Sequence, residues 1–114
     1  MSKQLEDRFF NYAIQVRDFC VALKHSVINL EYIKQLIRAS ASVGANYIEA
    51  SDDLGKADER MKIKISRREA KESVYWLRLV LVYGDEKIDE KRMQLINEGE
   101  QIIKILSAII IKLS

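Results

Sequence analysis

The chain has 114 residues, 48% hydrophobic and 32% charged, with a formal net charge of +2. That length suits one domain with a substantial core and leaves no room for a second. Its charge is too small to announce a nucleic-acid binder. The longest aliphatic segment, Ile102 to Leu113, carries Lys104 and Lys112 and falls well short of the roughly 20 residues that cross a bilayer.

Proline is absent and glycine numbers four, as expected of a chain made mostly of long helices. The N-terminal Met1-Ser-Lys-Gln-Leu-Glu-Asp-Arg is charged from the start and does not resemble a signal peptide, so a cytoplasmic protein is expected. Leu5, Phe9, Tyr12, Val16, Phe19 and Leu23 recur at alternating spacings of 4 and 3. This heptad-like seam predicts a helix over about residues 4–24, with Arg8, Gln15, Arg17, Asp18 and Lys24 toward solvent. Cys20, beside Phe19, reads as a small buried hydrophobe. His25 to Asn29 breaks the pattern, and Ser26 or Asn29 can cap the next helix.

The second helix is predicted from about Leu30 to Asp53. It carries one stripe through Ile33, Leu36, Ala39 (or Ser40), Val43, Asn46 and Ala50, and another through Leu30, Ile37, Gly44, Tyr47 and Leu54. Two stripes imply contacts on more than one side. Between Ala39 and Ala45, six of seven residues are Ala, Ser or Gly, and Gly44 in mid-helix makes sense where a side chain would block a neighbouring helix. Gly55 is the candidate left-handed residue that ends this helix.

Asp58 and Glu59 open a third helix, expected to reach about Tyr83. Ile63, Ala70, Val74, Leu77 and Leu81 form its first stripe; Met61, Ile65, Glu69, Glu72, Trp76, Leu79 and Tyr83 form its second. Gly84-Asp85 marks a turn, and Asp85 or Asp89 caps a last helix from about Asp89 to Lys112. That helix has one row at Leu95, Gly99, Ile102, Leu106, Ile109 and Leu113, beside a second at Ile96, Ile103 and Ile110. Four helices with short loops imply an all-α, antiparallel up-down-up-down four-helix bundle. The surplus apolar faces on the second and last helices imply burial between subunits.

Polar residues interrupt the core stripes. Asn46, Glu69 and Glu72 sit on them, while Arg38, Ser42 and Glu49 line one flank of the second helix. If the second and third helices are antiparallel neighbours, Arg38 and Asn46 can meet Glu69 or Glu72, and Glu49 can meet Arg67 or Arg68. Such a network fixes register more than it adds stability. Carboxylates inside a bundle also occur in di-iron sites, but those use paired Glu-x-x-His motifs. The one histidine, His25, falls in a predicted loop. No metal, cofactor, small-molecule substrate or catalytic site is therefore expected.

Residues 56–78 hold eight basic residues against four acids. Within them Lys64, Arg68, Lys71 and Arg78 share one side of the helix, with Tyr75 between. A basic stripe with an interleaved aromatic can bind a phosphate backbone, and a solvated charged face is the competing explanation.

Two stretches, Gln35 to Ala50 and Glu69 to Leu79, together resemble a bacterial family of small four-helix bundles. That family is named for reading frames in intervening sequences of 23S ribosomal RNA genes. Gln35, Leu36, Arg38, Ala39, Ser42, Asn46, Glu49 and Ala50 match the pattern Gln-Leu-x-Arg-(small)-x-x-Ser-x-x-x-Asn-x-x-Glu-(small). Glu69, Ala70, Glu72, Trp76 and Leu77 match the second pattern, Glu-(small)-x-Glu-x-x-x-Trp-Leu. The resemblance implies a homo-oligomer, specifically a homopentameric barrel, of unsettled molecular role. Accessory proteins of diversity-generating retroelements are similar in fold and bind nucleic acid, but are strongly basic where this chain is near neutral. The resemblance thus implies a self-assembling scaffold or RNA-associated accessory protein, with direct RNA or DNA binding through the third helix as the alternative.

Overall fold

The computed structural model describes residues 1–52 and 54–114. It contains four helices: α1 (Lys3–Ala22), α2 (Val27–Glu49), α3 (Lys56–Leu79) and α4 (Glu86–Lys112). Each packs on two others: α1 on α2 and α4, and α3 on α2 and α4. The result is an antiparallel square bundle measuring 47 × 21 × 20 Å.

The seam of α1 is the core as its spacing predicts: Phe9, Tyr12, Val16 and Phe19 are buried, with Phe9 edge-on to Tyr47 of α2 at 5.0 Å between ring centres. Along α3 the buried row runs through Ile63, Ser66, Ala70, Ser73 and Leu77, so two serines occupy core positions that an apolar pattern passes over. The second row of α4, expected to be left for another subunit, is largely used within the chain. Ile96 and Ile110 are each only 8% exposed.

The helix ends shift for identifiable reasons. Ser26 Oγ accepts from Asn29 N at 3.1 Å, so α2 begins at Val27 rather than Leu30. Asn29 then falls in the first turn, fully buried. Its Nδ2 donates to the carbonyls of Lys24 and Leu81, and its Oδ1 accepts from Leu81 N, all at 2.9 Å. One side chain thereby ties the α1–α2 loop to the α3–α4 loop. Gly55 does have a left-handed φ of 108°, but α2 ends at Glu49 and Gly55 precedes α3 as its N-cap. The expected end of α2 at Asp53 lies outside the described residues. Leu79 ends α3 short of Tyr83, which together with Gly84 turns the chain at φ of 52° and 76°. Asp85 Oδ1 accepts from Lys87 N and Ile88 N at 3.1 Å, so α4 starts at Glu86, ahead of Asp89. No helix among the described residues is long and apolar enough to cross a membrane.

Candidate interaction surfaces

The polar network exists in part. Arg38 Nη1 donates to Glu69 Oε2 at 3.1 Å, and its Nη2 lies 3.7 Å from Glu72 Oε2. The Glu69 side chain is buried. Burial first, then its hydrogen bond to and repulsion from Glu72, raises its pKa above the usual carboxylate value, against the opposing pull of Arg38 and Arg68.

Asn46 does not join this network: its Nδ2 donates to Ser42 O at 2.9 Å within α2. Ser42 likewise donates to Arg38 O at 2.8 Å. Short polar side chains in a helix can satisfy themselves on the turn behind, and both do. Glu49 meets Lys62 at 3.1 Å, not Arg67 or Arg68. Arg67 instead donates to Ser107 Oγ on α4 at 3.3 Å. The Glu49 side chain of this pair is exposed and Lys62 is half-exposed, so solvent screens their attraction. Arg8, expected toward solvent, makes two bonds of 2.8 and 2.9 Å to Glu98 and links α1 to α4.

The ties that sequence reasoning missed are the buried ones. Ser66 Oγ donates to Val43 O at 2.7 Å, fixing α2 against α3. Tyr12 reaches across the bundle to Ser73 Oγ at 2.7 Å, and Ser73 also donates to Ala70 O. Burial pushes the Tyr12 hydroxyl up to about 12. A signal was present: Ile63, Ser66, Ala70, Ser73 and Leu77 keep the 3-4 alternation of a buried seam.

The small-residue run of α2 divides between two neighbours. Gly44 faces α1, where an added Cβ would lie 3.4 Å from Phe9 Cβ, so the close crossing is with α1. Ala41 and Ala45 turn outward. With Ala13 on α1 they floor a groove made of two adjoining hollows of about 220 and 300 Å³. Its walls are Phe10, Ile14, Ile37 and Ile48, with Phe10 66% exposed.

The third surface is the outer side of α3. Lys64, Arg68, Lys71, Tyr75 and Arg78 are all exposed. The carboxylates of Glu69 and Glu72 turn toward Arg38, while Lys64, Lys71 and Arg78 form no ion pair among the described residues. No group of three or more His, Cys, Asp or Glu residues among the described residues is arranged to hold a metal.

Comparison with protein-family models matches residues 7–108 to the 23S rRNA-intervening sequence protein family. The chain belongs to that family. A crystal structure of a protein with unknown function from the S23 ribosomal protein family of Bacteroides thetaiotaomicron is similar to it at 30% identity. It covers 92% of this chain and 96% of its own, with a TM-score of 0.80. No curated protein matches. The 23S rRNA-intervening sequence protein match runs from within α1 to within α4. It contains both the Arg38–Glu69–Glu72 contact and the α1–α2 groove.

Proposed function

We propose that this protein is a non-enzymatic, self-assembling helical bundle of the cytoplasm that serves as a scaffold or RNA-associated accessory protein. The apolar α1–α2 groove is its subunit contact. The observation that carries this reading is the groove itself. Phe10, Ile37 and Ile48 stand exposed along its walls, and alanines floor it where another helix can approach. Exposed apolar surface gathered in one groove is characteristic of association sites. The family resemblance makes five the expected number of subunits. Light scattering at micromolar concentration tests it. Phe10→Asp should lower the measured mass while leaving the helical circular dichroism signal intact at low temperature, and a wild-type monomer would overturn it.

A second reading is direct nucleic-acid binding by the outer side of α3. The sorting of charge on that helix favours it: Glu69 and Glu72 turn to Arg38, Arg68 lies 3.8 Å from Glu69, and Lys64, Lys71 and Arg78 stand outward with no ion pair among the described residues. Salt-insensitive binding, or binding that survives charge reversal at Lys64 and Arg68, would overturn it.

A further inference from the structure

We infer that the outer edge of α3 is a track for single-stranded nucleic acid, with Tyr75 as a base-stacking platform between the cations of Lys64, Arg68, Lys71 and Arg78. The inference rests on the nucleic-acid reading of α3 and adds which form of nucleic acid is bound and how.

Three observations carry it. First, positions 64, 68, 71, 75 and 78 alternate in spacing by 4 and 3, so they form one straight outward row. From Lys64 to Arg78 that row spans about 21 Å at a helical rise of about 1.5 Å per residue. It accommodates about six nucleotides at the stacked spacing of about 3.4 Å per strand. No acidic residue lies on the row.

Second, Tyr75 is 60% exposed yet not loose. Its ring lies edge-on to Trp76 at 5.3 Å, and Trp76 is half-buried against Tyr32 of α2 at 6.0 Å. A protruding aromatic braced from behind suits stacking on an unpaired base, which every base permits through its π-face.

Third, α3 is flanked by α2 and α4 in a bundle 21 by 20 Å across. That cross-section exceeds the about 12 Å width of a major groove. A row on the outer face of a bundle this wide meets a duplex chiefly along its phosphate edge, where Tyr75 finds no unpaired base to stack on. A-form RNA duplexes, with a deep and narrow major groove, admit the row still less. A flexible strand can follow a straight row of charges on a convex surface, and its bases are free to reach Tyr75.

The experiment uses the full chain in its native assembly state and short labelled oligouridylate, oligothymidylate and a hairpin duplex of equal length, followed by fluorescence anisotropy. Either single strand should bind at least about tenfold tighter than the duplex, with a log–log salt slope of about −3 for four cations. Lys64→Ala or Lys71→Ala should each reduce that slope by about 0.7. Tyr75→Ala should weaken strand binding by about tenfold while leaving the slope unchanged, and Tyr75→Phe should restore it. Trp76 is the only tryptophan and touches Tyr75, so its emission should change on binding. The exposed position of Tyr75 makes its removal harmless to the fold, which an unchanged melting midpoint verifies. Equal affinity for duplex and strand, or an unaffected Tyr75→Ala variant, overturns the single-strand track while leaving nucleic-acid binding standing. No binding to any probe at low salt overturns both.

Discussion

Gly44 and Gly99 both lie in mid-helix against a neighbour, yet their surroundings differ. A methyl group at Gly44 would meet Phe9 Cβ at 3.4 Å, an ordinary contact, and the open α1–α2 groove lies beside it. At Gly99 it would meet Val74 Cγ2 at 2.6 Å and Tyr12 Oη at 2.8 Å. Val74 is β-branched and stiff, and Tyr12 is held by its bond to Ser73, so neither can move aside cheaply. Three helices converge on Gly99, and two share Gly44. One side of the bundle is therefore closed to further packing, while the other keeps room. Tight packing and open surface are separated in space.

The largest effect expected from this contrast is at Gly99. Gly99→Ala should overpack the crossing and cost about 1–3 kcal/mol, read as a drop in the denaturant midpoint. Tyr12→Phe comes next. It removes the link to Ser73, which keeps its own bond to Ala70 O, so urea titration should show a loss of about 0.5–1.5 kcal/mol. Gly44→Ala should fall within about 1 kcal/mol of wild type, because a helix-propensity gain offsets the tighter contact with Phe9. If Gly44→Ala costs more than Gly99→Ala, the contrast is reversed and the open side is not slack.

The smallest effect concerns the polar flank of α2. The raised pKa of Glu69 means the folded chain holds that proton to higher pH than the unfolded chain does. Its contribution is fully present below the ordinary carboxylate pKa and is lost as pH rises through the raised one. Glu69→Gln should flatten that part of the melting-temperature profile between acid and neutral pH. An unchanged profile would mean that Arg38 already neutralises the site.

Periodicity carried most of the fold. The row from Leu5 to Leu23 and the row from Leu95 to Leu106 repeat at helical spacing and bury much as read, because burial on one helix face leaves a periodic trace. The candidate network was less legible, for two physical reasons. Asn46 has a partner within its own helix, and no spacing rule says whether a half-buried amide turns to a neighbour or to the turn behind it. Glu49 lies near the α2–α3 turn and so opposes Lys62, while Arg67 and Arg68 lie deeper along α3. Pairing across antiparallel helices depends on distance from the turn, and so on where each helix stops. The apolar groove was hidden for a third reason: Ala41 and Ala45 lie off both predicted stripes of α2, and alanine carries too little apolar surface to mark the open floor they form.

Asn29 also governs how the molecule opens. It joins two loops through bonds to Leu81, a residue 52 positions away, and sits fully buried as it does so. The Leu81 amide cannot exchange its hydrogen with solvent until Asn29 releases it, and that release uncouples both loops at once. Exchange at this one amide thus times the opening of an entire end of the bundle. The opposite end, where the N-terminus lies, has its own tie: Ser2 N donates to Tyr47 Oη at 2.9 Å.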